Sequence, residues 1–226
     1  MAAHGAAVGI NGSRDQGAVD AVVEEIRAAG GTAFGVMADV SDPDAVARMV
    51  DAVHDELGPI DIAVSNVGVR KAAPLEELTV QDWRSTMASN LDAVFFLARL
   101  VLPGLRERGW GPIINISGYD RWTGHIHHRA ANITAKAGMH GLTKAIAREF
   151  SANGITANTV APRAIRTVRD EKHYAHVDVD AILQRLATAD FGEPEDIAEM
   201  CVYLAGDGAK FVTGQVLYLN AGEYMF

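Results

Sequence analysis

Residues 112–150 read PIINISGYDRWTGHIHHRAANITAKAGMHGLTKAIAREF. The stretch opens on the apolar run Ile113-Ile114-Asn115-Ile116. A run this short and this rich in β-branched residues reads as a buried strand of a parallel sheet. A polar, glycine-containing turn follows. Ile133, Ala137, Leu142, Ala145 and Ile146 then recur at helical spacing. Within that helix Lys136 stands one turn after Asn132.

The same alternation continues outward from this unit. Upstream, residues 6–10 read as a strand and 15–30 as a helix with Val19, Val22, Val23 and Ile26 on one face. Residues 32–37 form a second strand ending at Asp39-Val40. Ser41 reads as the cap of the next helix, with Asp44 three residues on and Pro43 in the first turn. Residues 60–64 read as a strand leading into Ser65-Asn66-Val67-Gly68, and one long helix is expected after Thr79, through Asn90, to about Arg108. Downstream come a strand at 156–160, a polar excursion over 163–188, a helix at Pro194–Ala205 and a last strand at 215–219. Strands alternating with helices predict a doubly wound, Rossmann-like α/β fold. No repeat or linker divides the 226 residues, so a single domain is expected over 1–226.

Composition removes several function classes. Apolar residues make up 49% and charged residues 22%, ordinary for a globular chain. A net charge of −9 argues against a nucleic-acid partner, which needs a basic stripe. Cys201 stands alone and forms no internal disulfide, which fits a reducing cytoplasm. The N-terminus shows no signal peptide, and the longest apolar run, 93–98, is too short to span a bilayer, so no membrane partner is expected.

Gly5 and Gly9 invite comparison with the glycine-rich turn that cradles a dinucleotide pyrophosphate. That turn needs a buried strand before it and a helix straight after. Only four residues precede Gly5, and the chain after Gly9 continues as a strand into Asn11-Gly12-Ser13-Arg14. They read instead as turn and strand glycines.

Taken in order, Asp39-Val40, Ser65-Asn66-Val67-Gly68, Asn90, Lys136, Ile165-x-Thr167, Gly192-x-Pro194-Glu195-Asp196 and Val212-Thr213-Gly214-Gln215 resemble the motif series of the short-chain dehydrogenase/reductase family, across essentially the whole chain. The resemblance implies an NAD(P)-dependent oxidoreductase. It implies that Asp39 and Val40 meet the adenine and that Asn66 and Gly68 border the cofactor. Asn90 would hold an active-site water, and Ile165 and Thr167 would touch the nicotinamide carboxamide. Lys136 would be the lysine of the family's Y-x-x-x-K, binding the ribose hydroxyls. Two chemical groups of that site are missing: Asn132 occupies the tyrosine position, and Gly118 the serine position. The resemblance also implies that the first strand, its glycine-rich turn and most of its helix are absent. Residues 1–6 would be the end of that helix in a late-started or truncated chain, and cofactor affinity would suffer.

Tyr119, beside Gly118, is the candidate replacement acid; the alternative is a half-packed loop tyrosine. Ser117, Asp120, His125, His127 and His128 share its loop. No carboxylate or cysteine at ligand spacing supports a metal site there. Residues 163–190 correspond to the family's substrate lid. In it Arg163, Arg166 and Arg169 recur every three residues, either to grip an anionic or thioester-linked substrate or as a hydrated face. Arg14 tilts the cofactor towards NADP(H) over NAD(H), since a guanidinium suits a 2′-phosphate. Family members form homo-oligomers, commonly tetramers, through the helix after Asn90 and the helix bearing Lys136. Two readings stay open. One is a reductase of a small carbonyl or alcohol substrate with an altered acid, most like the 3-oxoacyl thioester reductases. The other is a catalytically silent relative that serves in binding or assembly.

Overall fold

A computed structural model describes residues 1–118, 128–166 and 178–225. Six strands are assigned there: β1 (Val8–Gly12), β2 (Ala33–Met37), β3 (Ala63–Ser65), β4 (Gly111–Ile116), β5 (Ile155–Pro162) and β6 (Val216–Leu219). The helices are α1 (Gln16–Ala28), α2 (Pro43–Leu57), α3 (Val80–Met87), α4 (Ala93–Arg108), α5 (Ala130–Phe150), α6 (Val179–Leu183) and α7 (Pro194–Ala205). All strand pairs are parallel, in two sheets: β1–β2, and β3–β4–β5–β6. The α/β class expected from the alternation therefore holds.

Strand β4 is buried at every residue, as a central parallel strand should be. Its two faces serve two cores. Ile113 packs with Ala98, Val101, Leu105 and Ile146 under α4 and α5. Ile114 and Ile116 pack with Cys201 and Leu204 of α7 on the other side. Burial pushes the Cys201 thiol pKa up, so it behaves as a small apolar side chain. A polar seam also ties α5 to the sheet. Asn115 Nδ2 donates to Thr143 Oγ1 at 3.0 Å, and the Thr143 and Thr159 hydroxyls meet at 2.9 Å, all three residues buried.

The small sheet has its own core of Val19, Val23 and Ala33 beneath α1. Glycines let α1 lie close: a Cβ on Gly12 would sit 2.4 Å from Val19 Cγ2, and one on Gly35 2.7 Å from Val19 Cγ1. Helix α2 joins the sheets, running from β2 to β3 and packing on β1, β2 and α4. Between the sheets lies a cavity of about 620 Å³, walled by β1 and β3. Gly9, Asn11 and Val64 on those walls are exposed.

Three local expectations are corrected. Asp42, not Ser41, caps α2, accepting from Asp44 N at 2.9 Å, while Ser41 turns back to Asp39. The strand expected at 60–64 is only Ala63–Ser65. The long helix after Thr79 is interrupted by one π-helical turn, Ala88–Asp92, which centres on buried Asn90. As a 29-residue unit, Val80–Arg108 is long and apolar enough to cross a membrane. Its buried residues Ala93, Val94, Ala98, Val101 and Leu105 are spent on packing within the fold.

Candidate active site

The candidate site gathers at the carboxyl ends of the strands, where open parallel sheets bind ligands. Helix α5 delivers Lys136 with 4% exposure, and its ammonium donates to Val67 O at 2.8 Å and Ile116 O at 2.7 Å. Those carbonyls follow β3 and end β4, so the lysine bridges the mouths of neighbouring strands. It does not point away from the crevice, as a solvated lysine on an exposed helix face would.

Around it, the segment after β3 is clamped by amides. Asn90 Oδ1 accepts from Val69 N at 3.0 Å, and Asn90 Nδ2 donates to Val69 O at 3.1 Å and Thr86 O at 2.9 Å. The π turn aims Asn90 inward, a use such turns often have. Asn132, 1% exposed, donates from Nδ2 to the same Val69 O at 2.8 Å. Its Oδ1 is buried without a hydrogen-bond partner among the described residues. An amide at this position is therefore spent on holding the 66–69 segment. Gly68 lies against both: a Cβ there would be 3.7 Å from Asn90 Oδ1 and 4.0 Å from Lys136 Cε.

Asp39 and Arg14 stand at the ends of the small sheet. The Ser41 backbone N–H at 2.9 Å, the Ser41 hydroxyl at 2.7 Å and the charge of Arg14 hold the Asp39 carboxyl below the usual carboxylate range. Val40 follows, half-buried, and Asn66 is exposed at the end of β3. Ile165, after β5, bridges in parallel to Gly192. Beside it Ala164 is buried at φ 53°, a left-handed conformation costly for a residue with a Cβ. Tyr119, Asp120, His125, His127, Thr167 and Arg169 lie outside the described residues.

Two of the three arginines have carboxylate partners. Arg163 Nε donates to Glu223 Oε2 at 2.7 Å, and Arg185 Nε lies 3.4 Å from the other Glu223 oxygen, an ion pair without hydrogen-bond geometry. Arg166 pairs with Glu193 at 2.7 Å and Asp190 at 3.1 Å and stacks over Phe191. Both arginines are paired with carboxylates in this structure. One contact went unseen in the sequence: Ser117 Oγ lies 2.7 Å from Nε2 of buried His140. His140 follows Lys136 by one helical turn, the spacing that could have revealed it.

Whether a dinucleotide fits can be judged by stations. The Lys136 ammonium suits ribose hydroxyls, and Asp39 with Arg14 suits the adenosine end, on chemistry and placement. No glycine-rich turn opens a helix between them among the described residues.

Comparison with known proteins identifies the family. A family profile described as enoyl-(acyl carrier protein) reductase matches residues 1–223. The 3-oxoacyl-[acyl-carrier-protein] reductase FabG of Staphylococcus epidermidis is 37% identical over 220 residues, covering 97% of this chain and 88% of its own. The (2S)-[(R)-hydroxy(phenyl)methyl]succinyl-CoA dehydrogenase subunit BbsD of Thauera aromatica is 39% identical, covering 100% and 90%. Among solved structures, a blue fluorescent protein from a metagenomic library, in complex with NADPH, superposes with TM-score 0.90 at 31% identity over 99% of this chain and 90% of its own. A gluconate 5-dehydrogenase from Burkholderia cenocepacia J2315, in complex with NADP and tartrate, gives 0.88 at 28% over 98% and 87%. With the motif series, the parallel α/β fold and these relatives together, the chain belongs to the short-chain dehydrogenase/reductase family.

Proposed function

We propose that this chain is an NAD(P)-dependent oxidoreductase of a carbonyl or alcohol substrate, with NADP(H) preferred and with altered proton delivery. The observation that carries this is the buried Lys136 ammonium between Val67 O and Ile116 O, at the carboxyl ends of β3 and β4. When bound, the nicotinamide supplies or accepts the hydride. Lys136 would hold the ribose hydroxyls, and Asn66, Gly68 and Ile165 would line the cofactor, with Thr167 beyond the described residues. Asp39 and Val40 would take the adenine, and Arg14 a 2′-phosphate. Asn90 orders the 66–69 segment through Val69 and holds an active-site water.

Tyr119 is the proposed acid. Asn132 cannot play that part: its amide does not titrate, and its N–H is already given to Val69 O. The relatives whose names specify acyl-carrier-protein or CoA thioesters make a small thioester-linked ketone the first substrate to try. With Arg163 and Arg166 matched to carboxylates, an anionic group would need other residues of the 163–190 lid. We take the protein to be a cytoplasmic homo-oligomer built through α4 and α5.

A second reading has its own support. Gly118 brings no hydroxyl and Asn132 is tied to backbone, so the same body could bind dinucleotide without turnover. NADPH fluorescence titration followed by absorbance with a panel of ketones separates the two. Saturable binding with turnover supports the enzyme, and binding alone supports the silent subunit. Tyr119→Phe should lower turnover by about 10²–10⁴ if the phenol is the acid; unchanged turnover would end its role.

A further inference from the structure

Asn132, Lys136, His140 and Thr143 form a polar stripe on the buried face of α5. Their spacing, one helical turn each, keeps them in a row. Each is spent on a strand end or on the segment after one. Asn132 reaches Val69 O, Lys136 reaches Val67 O and Ile116 O, His140 meets Ser117 Oγ, and Thr143 accepts from the Asn115 amide. His140, 2% exposed, is costly to bury, and apolar packing alone would ask for an aliphatic side chain there.

The contact of His140 sits beside the lysine's own partner. The peptide group joining Ile116 to Ser117 has its C=O facing the Lys136 ammonium at 2.7 Å, and its N–H donates to Val160 O at 2.8 Å. One step further along the chain, the Ser117 hydroxyl meets Nε2 of His140 at 2.7 Å. Strand β4 ends at Ile116, so the ladder no longer fixes the chain beyond this peptide. Rotation of the peptide plane would turn the carbonyl away from the ammonium, and a side chain anchored to α5 opposes that rotation. Apolar contacts could not do this, because they carry no direction, whereas a hydrogen bond does. The anchor stands on the helix that carries the lysine, one turn on, so ammonium and carbonyl are referred to one rigid element.

We infer that His140 is a positioning residue: through Ser117 it fixes the Ile116 carbonyl, and with it the Lys136 ammonium, at the mouths of β3 and β4. It acts through that carbonyl rather than by touching a ligand. The consequence for dinucleotide binding rests on the oxidoreductase reading; the consequence for the ammonium does not. A leucine at 140 would fill the space and release the peptide. A glutamine would keep a polar atom where Nε2 stands, and a threonine at 117 would keep the hydroxyl.

The test follows the Lys136 ammonium in the whole chain by proton–nitrogen correlation NMR, its signal identified by its loss in Lys136→Met. Buried and held by carbonyls, the ammonium should exchange slowly with water. His140→Leu should speed that exchange by about tenfold or more and weaken NADPH, read by fluorescence titration, by about three- to tenfold, and His140→Gln should restore both. Ser117→Ala removes the same contact from the strand side and should act as His140→Leu does, with Ser117→Thr as its rescue. That second pair decides the matter if His140→Leu fails to fold by circular dichroism. The inference is overturned by an ammonium that exchanges no faster once the contact is removed. It is also overturned if His140→Gln behaves like His140→Leu, which would make the residue a space filler, or if Lys136 gives no protected signal in the unaltered chain. An ammonium that responds as expected, in a chain whose NADPH binding is absent or the same in every variant, upholds the positioning and defeats the dinucleotide reading of Lys136 instead.

Discussion

At the residue scale, the site turns on what stands four positions before Lys136. Asn132 donates from Nδ2 to Val69 O and leaves a buried Oδ1 without a partner among the described residues, a mild liability where a general acid would be of use. Replacing Asn132 by Tyr together with Gly118 by Ser should raise turnover on a thioester-linked ketone by about 10²-fold or more, read as NADPH consumption. No gain would show that the defect lies elsewhere. Asp39 offers a pH test. Its folded pKa lies below the unfolded value of about 3.9, so its stabilisation is present above that pH and fades as pH falls through the folded pKa. Asp39→Asn should therefore cost little at neutral pH, below about 0.5 kcal/mol for so exposed a group, and nothing in strong acid. Urea melts at the two pH values check this. The place of Lys136 was legible because one helix carries it at a fixed spacing from its neighbours. The bond from Asn132 to Val69 was not, because it spans 63 residues and depends on which way an amide turns.

At the element scale, the segment after β5 and the C-terminal tail are joined through one carboxylate. Glu223, with 2% side-chain exposure, sits between Arg163 and Arg185. Glu223→Ala would leave Arg163 without this partner; breaking a buried pair costs about 3–5 kcal/mol. Thermal unfolding should show a fall of many degrees, and a shift within a degree or two would mean the pair contributes nothing. The three-residue recurrence of arginines suggested a clamp, and sequence periodicity could not show that carboxylates 27 and 60 residues away claim two of them. The same limit applies to the π turn at Asn90. Its apolar pattern is that of one long helix, and only packing against the 66–69 segment reveals the added residue. Caps were read more closely, with Asp42 displacing Ser41 by a single position because Asp39 takes the serine.

Across the whole molecule, two sheets share one set of crossovers but not one ladder. Amides of β4 and β5, paired on both sides, should exchange slowest, and those of β1, paired on one side, markedly faster. Uniform protection across β1 and β4 would contradict the divided sheet. The parallel architecture was legible because buried β-branched runs alternate with amphipathic helices along the whole chain. How β1 and β3 face each other was less so. Gly9, Asn11 and Val64 on their facing sides are exposed. The measurement that bears most directly on the assigned function is NADPH titration of the chain and of Lys136→Met, each checked for folding by circular dichroism. Saturable binding by the chain that weakens about tenfold or more in the folded variant is the expected result, one lost charge-assisted hydrogen bond being worth roughly 1.5–3 kcal/mol. A folded chain that binds no NADPH, or binds it equally well without the ammonium, would contradict it.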